Sequence, residues 1–288
     1  MMISLKGTLR LVALLSISLQ LTACSDTDTS YQDIPNLKDG VGKKTKQIKK
    51  QDEPEIVTVK SYYENGKLES IKNFKNGLLE GLVTEYYRNG QVKTEAQYKD
   101  DKFDGVLRNY YDFGVLKSEQ VYKDNVLEGI SRKYTAYGLL EEEDSYKNGK
   151  LEGPVRRYWE NGNLRSEQPY VDNIAHGVYV EYYANKKVKR KVLMVNGKQT
   201  GLIKTFYEGG AIKREWYAKN GVSQGDSRLY YPDGTLQVTG HYEKGKPEGE
   251  FTFYRQDTPV NVDEYKEGEL IKRSILNKDG KLEFQRQF

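Results

Sequence analysis

The 288-residue chain has one cysteine, two histidines, two tryptophans and seven prolines. Each scarcity removes a class of function. Cys24 has no disulfide partner within the protein. His176 and His241 lie 65 positions apart, which excludes a histidine-rich metal site and leaves no convincing nucleophile–His–acid set. No glycine-rich phosphate loop follows a strand and opens a helix, so nucleotide binding has no support. A formal net charge of +4 is too small to argue for nucleic acid. Paired carboxylates such as Glu141 to Asp144 are frequent, but 42 acids stand among 46 bases. A solvated strand face accounts for them better than acid–base catalysis. The sequence therefore predicts no enzyme, no metal and no cofactor.

The N-terminus carries a different signal. Lys6 and Arg10 precede the apolar run "LVALLSISLQL", the order of an export signal, and residues 1–23 are read as a signal peptide. The run is too short for a permanent span, which needs about 20 apolar residues. Leu21-Thr22-Ala23-Cys24 follows and resembles the lipobox of bacterial lipoprotein precursors. The resemblance implies lipid attachment at Cys24, which becomes the new N-terminus of an envelope protein. Ser25 in place of aspartate favours the outer membrane. Residues 24–55 are polar and nearly free of bulky apolar side chains, the composition of a disordered tether. As a flexible coil it would reach roughly 30 Å. The cluster Lys43 to Lys50 inside it is read as a solvated, lysine-rich linker.

Beyond residue 55 the chain repeats. Glycine recurs every 24 residues at Gly81, Gly105, Gly129, Gly153, Gly177, Gly201, Gly225 and Gly249. Five residues after each stands an aromatic, from Tyr86 and Tyr110 to Tyr254, and eleven after it an aliphatic, from Val92 to Val260. The residue after the aromatic is usually aromatic too, as in Tyr87, Tyr111, Trp159, Tyr183, Tyr207 and Tyr231. A fixed period of this length marks a repeat architecture.

Turn residues divide each period in two. One series runs from Asn65-Gly66 to Asp257-Thr258 and reads as two-residue type I′ hairpin turns. A second series, including Gly77, Asp101, Asn125 and Gly149, uses residues that enter the left-handed region cheaply. Between them lie six- to nine-residue segments with strand composition and no sustained 3.6-residue apolar period. A two-residue turn at Asn89-Gly90 pairs Tyr87 with Val92 and puts Val83, Ala96 and Tyr98 on the same face. Tyr86 falls on the other, with Lys93 and Glu95. Three departures stand out: Lys186 for a turn glycine, Pro169 inside a strand, and one residue missing between Thr258 and Tyr265. The ladder is expected to weaken around 169–190, and the last segment to cap the array.

The unit from Gly81 to Tyr98 and the segment "GPVRRYWENGNLRSEQPY" resemble the MORN repeat in its bacterial variant form. The resemblance implies an all-β fold over 56–288: an elongated, twisted, single-layer antiparallel β-meander of about nine 24-residue hairpin repeats. For function it implies a non-enzymatic scaffold that is tethered to the membrane by its N-terminal lipid and binds an envelope protein, a glycan or lipid headgroups. Trp159, Arg157, Tyr87, Tyr111, Tyr183, Tyr207 and Tyr231 are the candidate binding surface, with Trp159 and Arg157 expected on one strand face. The alternative it implies is an antitoxin or immunity-type protein of a toxin–antitoxin system, against which the export signal weighs.

Overall fold

The computed structural model describes residues 55–288. The expected signal peptide, Cys24 and the tether up to residue 54 lie outside the described residues. From Ile56–Tyr62 to Leu282–Gln287, 23 strands form one open antiparallel sheet, with no helix among the described residues. Strands pair with their neighbours in sequence, as a meander requires. Three two-residue strands, Leu78–Leu79, Val126–Leu127 and Ile174–Ala175, continue into the strand that follows. The 23 strands therefore make 20 rungs, and at about 4.8 Å between strands these extend roughly 90 Å along the array.

The turns differ from the expected pattern, and the difference resets the register. At Asn89-Gly90 the loop has three residues, not two. Gly90 N donates to Tyr87 O and Tyr87 N to Gln91 O, both at 2.8 Å. Gly90 alone has positive φ, +95°, which is a type I turn closed by a left-handed glycine. The Asn89 position carries Phe113 and Tyr137 in the next two periods, and bulky side chains do not enter the left-handed region cheaply. The three-residue loop spares them by placing only the glycine there. The type I′ turns lie at the second series, where both residues have positive φ, as in Asn76 (+54°) with Gly77 (+82°) and Asp124 (+48°) with Asn125 (+67°).

The longer loop makes Tyr86, not Tyr87, the partner of Val92, and leaves Lys93 as a bulge. Tyr87 opens the loop, and Val92 joins the Tyr86 face. The Val83–Ala96–Tyr98 face and the placing of Tyr86 and Glu95 opposite it stand as expected. The missing residue in the Thr258 period shortens its loop to a type I′ turn, at Gln256 and Asp257.

The repeat glycine sits in a second bulge. Asp104, Gly105 and Val106 stand against the single residue Gln97. Gly105 has φ +127°, and a Cβ there would lie 2.7 Å from Gln97 Cβ. At Gly105 conformation and close approach both demand glycine; positive φ is shared by all eight repeat glycines and accounts for the unbroken 24-residue step.

The core is thin and one-sided. The buried apolar side chains Val83, Val155, Ile203, Phe251, Ala96, Val192 and Ala218 all come from three repeat positions on one face. Ile203, Val192 and Ala218 pack with Tyr179, Met194 and Trp216. Each period thus buries its apolar residues only against adjacent periods.

Pro169 is not a singular weak point. The rung is interrupted before the repeat glycine at His176, where His176 N donates to Pro169 O at 3.0 Å. Glu80 and Glu128 interrupt their rungs in the same way, donating to Asn73 O and Val121 O at 2.9 Å with no proline opposite. The final strand, Leu282–Gln287, ends the sheet but does not cover it, since every position in it is exposed.

Candidate functional site

The three-residue loops gather along one edge of the sheet, and the residue just before the loop is in most periods the second aromatic of the repeat. Tyr63, Tyr87, Tyr111, Trp159, Tyr183, Tyr207 and Tyr231 each donate a side-chain hydrogen to the backbone carbonyl 23 residues on, at 2.5 to 3.3 Å. This rail ties each hairpin to the next. The asparagine in the loop adds a tie: Asn65, Asn89, Asn161 and Asn185 donate Nδ2 to a carbonyl of the next loop. Cations lie over the aromatic rings, with Lys117 on Tyr111 at 5.6 Å, Arg165 on Trp159 at 4.7 Å and Lys213 on Tyr207 at 5.5 Å. The candidate tyrosines are therefore half-buried struts of the edge.

The opposite edge is tied by backbone. Asn125 N donates to Phe103 O at 2.9 Å, and Phe103 N donates to Asn125 Oδ1 at 2.7 Å. Carboxylates before the repeat glycine cap the next turn: Glu80 accepts from Asp100 N at 3.2 Å and Glu128 from Asn148 N at 2.7 Å. The sequence reading missed this role, although the recurrence of Glu at that position was its signal.

The Tyr86 face carries a chain of ion pairs. Arg108, Glu119, Arg132, Glu143, Arg156 and Glu167 alternate, with successive contacts of 2.8, 3.6, 2.9, 3.0 and 2.7 Å. The chain stops where Val180 and Lys191 take the arginine and glutamate positions. Tyr110 donates to Glu95 at 2.7 Å on this face. Burial first, and then that carboxylate, push its phenol up to about 12.

Arg157 is on the other face, away from Trp159. It donates to Asp144 Oδ1 at 2.8 Å and pairs with Glu142 at 3.3 Å. Burial raises the pKa of Asp144, and its hydrogen bond with Glu142 raises it further. For Glu142 burial also opposes ionisation, but hydrogen bonds from Asp144 and Lys133 outweigh it and lower the pKa. Alternation explains the run Glu141 to Asp144: Glu142 and Asp144 meet Arg157 while Glu143 faces Arg132 and Arg156. Arg157 is thus committed to an internal carboxylate pair, and Trp159 to the loop edge.

Between Tyr63 and Tyr231 one hairpin breaks the rail, which ends before Arg255 and Asn277. Thr135 stands where the other seven of that run have Tyr or Trp, and its Oγ1 turns back to accept from Tyr137 N at 3.3 Å and Leu139 N at 3.2 Å. Beside it opens a cavity of about 520 Å³, lined by Thr135, Leu139, Leu140, Tyr158, Trp159 and Arg165 among others. Tyr137 of the same loop is 89% exposed, and Leu139 and Phe113 are exposed on the same edge. Of the candidate residues, only Trp159 borders this cavity. Among the described residues no three His, Cys, Asp or Glu side chains are grouped to hold a metal ion.

Residues 57–76, 79–100, 103–124, 151–172, 175–196 and 223–244 match the family described as "MORN repeat variant". No curated protein matches the chain. Solved structures similar to it include the following two. "Crystal Structure of TcdB2-TccC3-TEV" is 13% identical, covering 81% of this chain and 15% of that one, with a TM-score of 0.20. "Crystal Structure of TcdB2-TccC3-Cdc42" is 12% identical, covering 81% and 14%, with a TM-score of 0.17. The chain spans less than a fifth of either, and likeness at such TM-scores carries no argument.

Proposed function

We propose that this chain, an array of repeats of the MORN variant type, is a non-enzymatic scaffold of a bacterial envelope, held by a lipid on Cys24 and binding a partner along its loop edge. The observation that carries the scaffold reading is that edge. A rail of seven aromatic struts is interrupted at Thr135, which borders a cavity together with Leu139 and Trp159, and Tyr137 of the same loop is exposed. Exposed aromatic side chains next to a concave site are how recognition surfaces concentrate contact. The histidines support a reading without catalysis: His241 bonds Asp226 at 2.9 Å on an exposed surface, and His176 lies in a different repeat position.

Anchoring rests on Lys6, Arg10, the apolar run and Leu21-Thr22-Ala23-Cys24, with Ser25 favouring the outer membrane. The partner is an envelope protein, a glycan or lipid headgroups. Labelled palmitate should enter the wild-type protein and not Cys24→Ser, which should accumulate as precursor; equal labelling would remove the anchor. Affinity capture from detergent-solubilised envelopes tests the scaffold. Failure of any protein, glycan or lipid to co-purify above a repeat array with Phe113 and Tyr137 replaced by Asn would remove that reading.

A further inference from the structure

We propose that the cavity beside Thr135 is a receptor slot for one tyrosine or tryptophan side chain of a partner protein, carried next to a basic residue. The proposal deepens the scaffold reading and rests on it only for the existence of a protein partner.

The repeat supplies the template for the occupant. In seven hairpins an aromatic side chain with a polar hydrogen fills the equivalent place and donates to the carbonyl 23 residues on. For Thr135 that carbonyl is Tyr158 O, and it receives no side-chain donor among the described residues. Threonine is too short to cross to the next hairpin, and its hydroxyl oxygen is engaged within its own loop. The loop asparagine is also replaced, by Tyr137, so both side-chain ties of this edge are lost between the Thr135 and Trp159 hairpins. The cavity that results, about 520 Å³, falls within the roughly 300–1,000 Å³ of ligand pockets. Its lining includes the aliphatic side chains of Leu139 and Leu140 and the aromatic Tyr158 and Trp159, and Tyr158 supplies the backbone acceptor of the rail position.

Charge selects further. Lys117, Arg165, Lys189 and Lys213 lie over the rail aromatics of their own hairpins. In the Thr135 hairpin that position is Glu141, exposed at the cavity rim. Aromatic and cation have been exchanged together for a short polar residue and a carboxylate. A guest that restores both brings its own aromatic ring and its own positive charge. Phenylalanine would fill the space and leave Tyr158 O without its donor, and a site built around a hydrogen bond discriminates against an analogue that lacks it.

The test uses the purified lipid-free protein, L-tyrosinamide, its neutral N-acetyl form and L-phenylalaninamide, with amide chemical shifts as readout. L-tyrosinamide should shift Thr135, Tyr158 and the Trp159 indole, and bind at least about tenfold more tightly than L-phenylalaninamide. Thr135→Tyr should unfold at the same or a higher temperature, since seven hairpins already carry an aromatic there, and should lose the shifts. Glu141→Gln should bind the neutral and cationic probes alike. Equal binding of the two cationic probes overturns the proposal, as does binding by Thr135→Tyr like wild type, or no shift at these residues up to the solubility limit. A dimer abolished by Tyr137→Ala would assign the slot to a second copy and overturn a foreign partner. If envelope capture succeeds and Thr135→Tyr leaves it unchanged, the slot falls and the scaffold stands. If capture fails while the probes bind, the scaffold falls.

Discussion

Arg273 grips Asp263 with two parallel hydrogen bonds, Nε to Oδ1 at 2.7 Å and Nη2 to Oδ2 at 2.6 Å, and Asp263 is fully buried. Asp263 occupies the core position held by Ala96 and Val192 in other periods. Arg273→Ala should cost about 3 kcal/mol, the low end for stranding a buried charge, because Arg273 itself is partly exposed. Arg273→Met with Asp263→Leu should recover most of that loss in urea denaturation, and failure to recover would mean the pair is more than a local device.

Lys186 is the loop residue of its period that lacks glycine, and it holds φ +70°. Left-handed backbone costs a residue with a Cβ about 1–2 kcal/mol. Lys186→Gly should therefore raise stability by about 1 kcal/mol, read as a higher denaturation midpoint with an unchanged slope.

Tyr207 donates to Tyr230 O at 2.7 Å, and Tyr87 to Tyr110 O at 2.7 Å. Replacing either by Phe keeps the ring and removes one bond, with an expected loss of about 1 kcal/mol. The two sites are five periods apart, so the double variant should show the sum within about 0.5 kcal/mol. A larger deficit would show coupling along the edge.

Lys204 donates to Glu215, and that hydrogen bond, more than compensating for burial, lowers the Glu215 pKa. A carboxylate with a lowered folded-state pKa stabilises above its unfolded value, about 4.3, and loses this as pH falls through the folded value. Wild type should exceed Glu215→Gln by roughly 0.5–1 kcal/mol at pH 7, and the difference should vanish at more acidic pH. A gap that stays constant with pH would point to packing and not charge.

Much of this fold is written in the sequence because each period states it again. The step from Gly81 to Gly249 fixes the hairpin unit, and the bulge at Gly105 explains why no other residue serves there. The loop type was not legible from Asn89-Gly90, which suits two turn geometries. Phe113 and Tyr137 at the same position carried the deciding information, through their intolerance of positive φ. Because the loop is one residue longer than a type I′ turn, Tyr87 left the strand face and Arg157 separated from Trp159. The cavity was written as an interruption, Thr135 among aromatics, whose meaning depends on which carbonyl lies 23 residues on.

Removing Gly105 to Glu128 joins Asp104 to Gly129 and conserves every bulge and tie of the period. That variant should fold, with a denaturation slope reduced in proportion to its length. Removing 12 residues joins unlike halves and should abolish cooperative unfolding. Equal damage from both would refute nearest-neighbour stability.

Strands that lie across the array have their ladder bonds pointing along it, and this sets how the sheet bears tension. A pull between Ile56 and Phe288 loads those bonds one rung after another, so the sheet opens like a zip and never shears as a block. Each 24-residue period released adds about 80 Å of extended chain. Under such a load the sheet would behave as an extensible spring whose successive yield points are its hairpins, one of them the Thr135 to Trp159 step that lacks the rail tie.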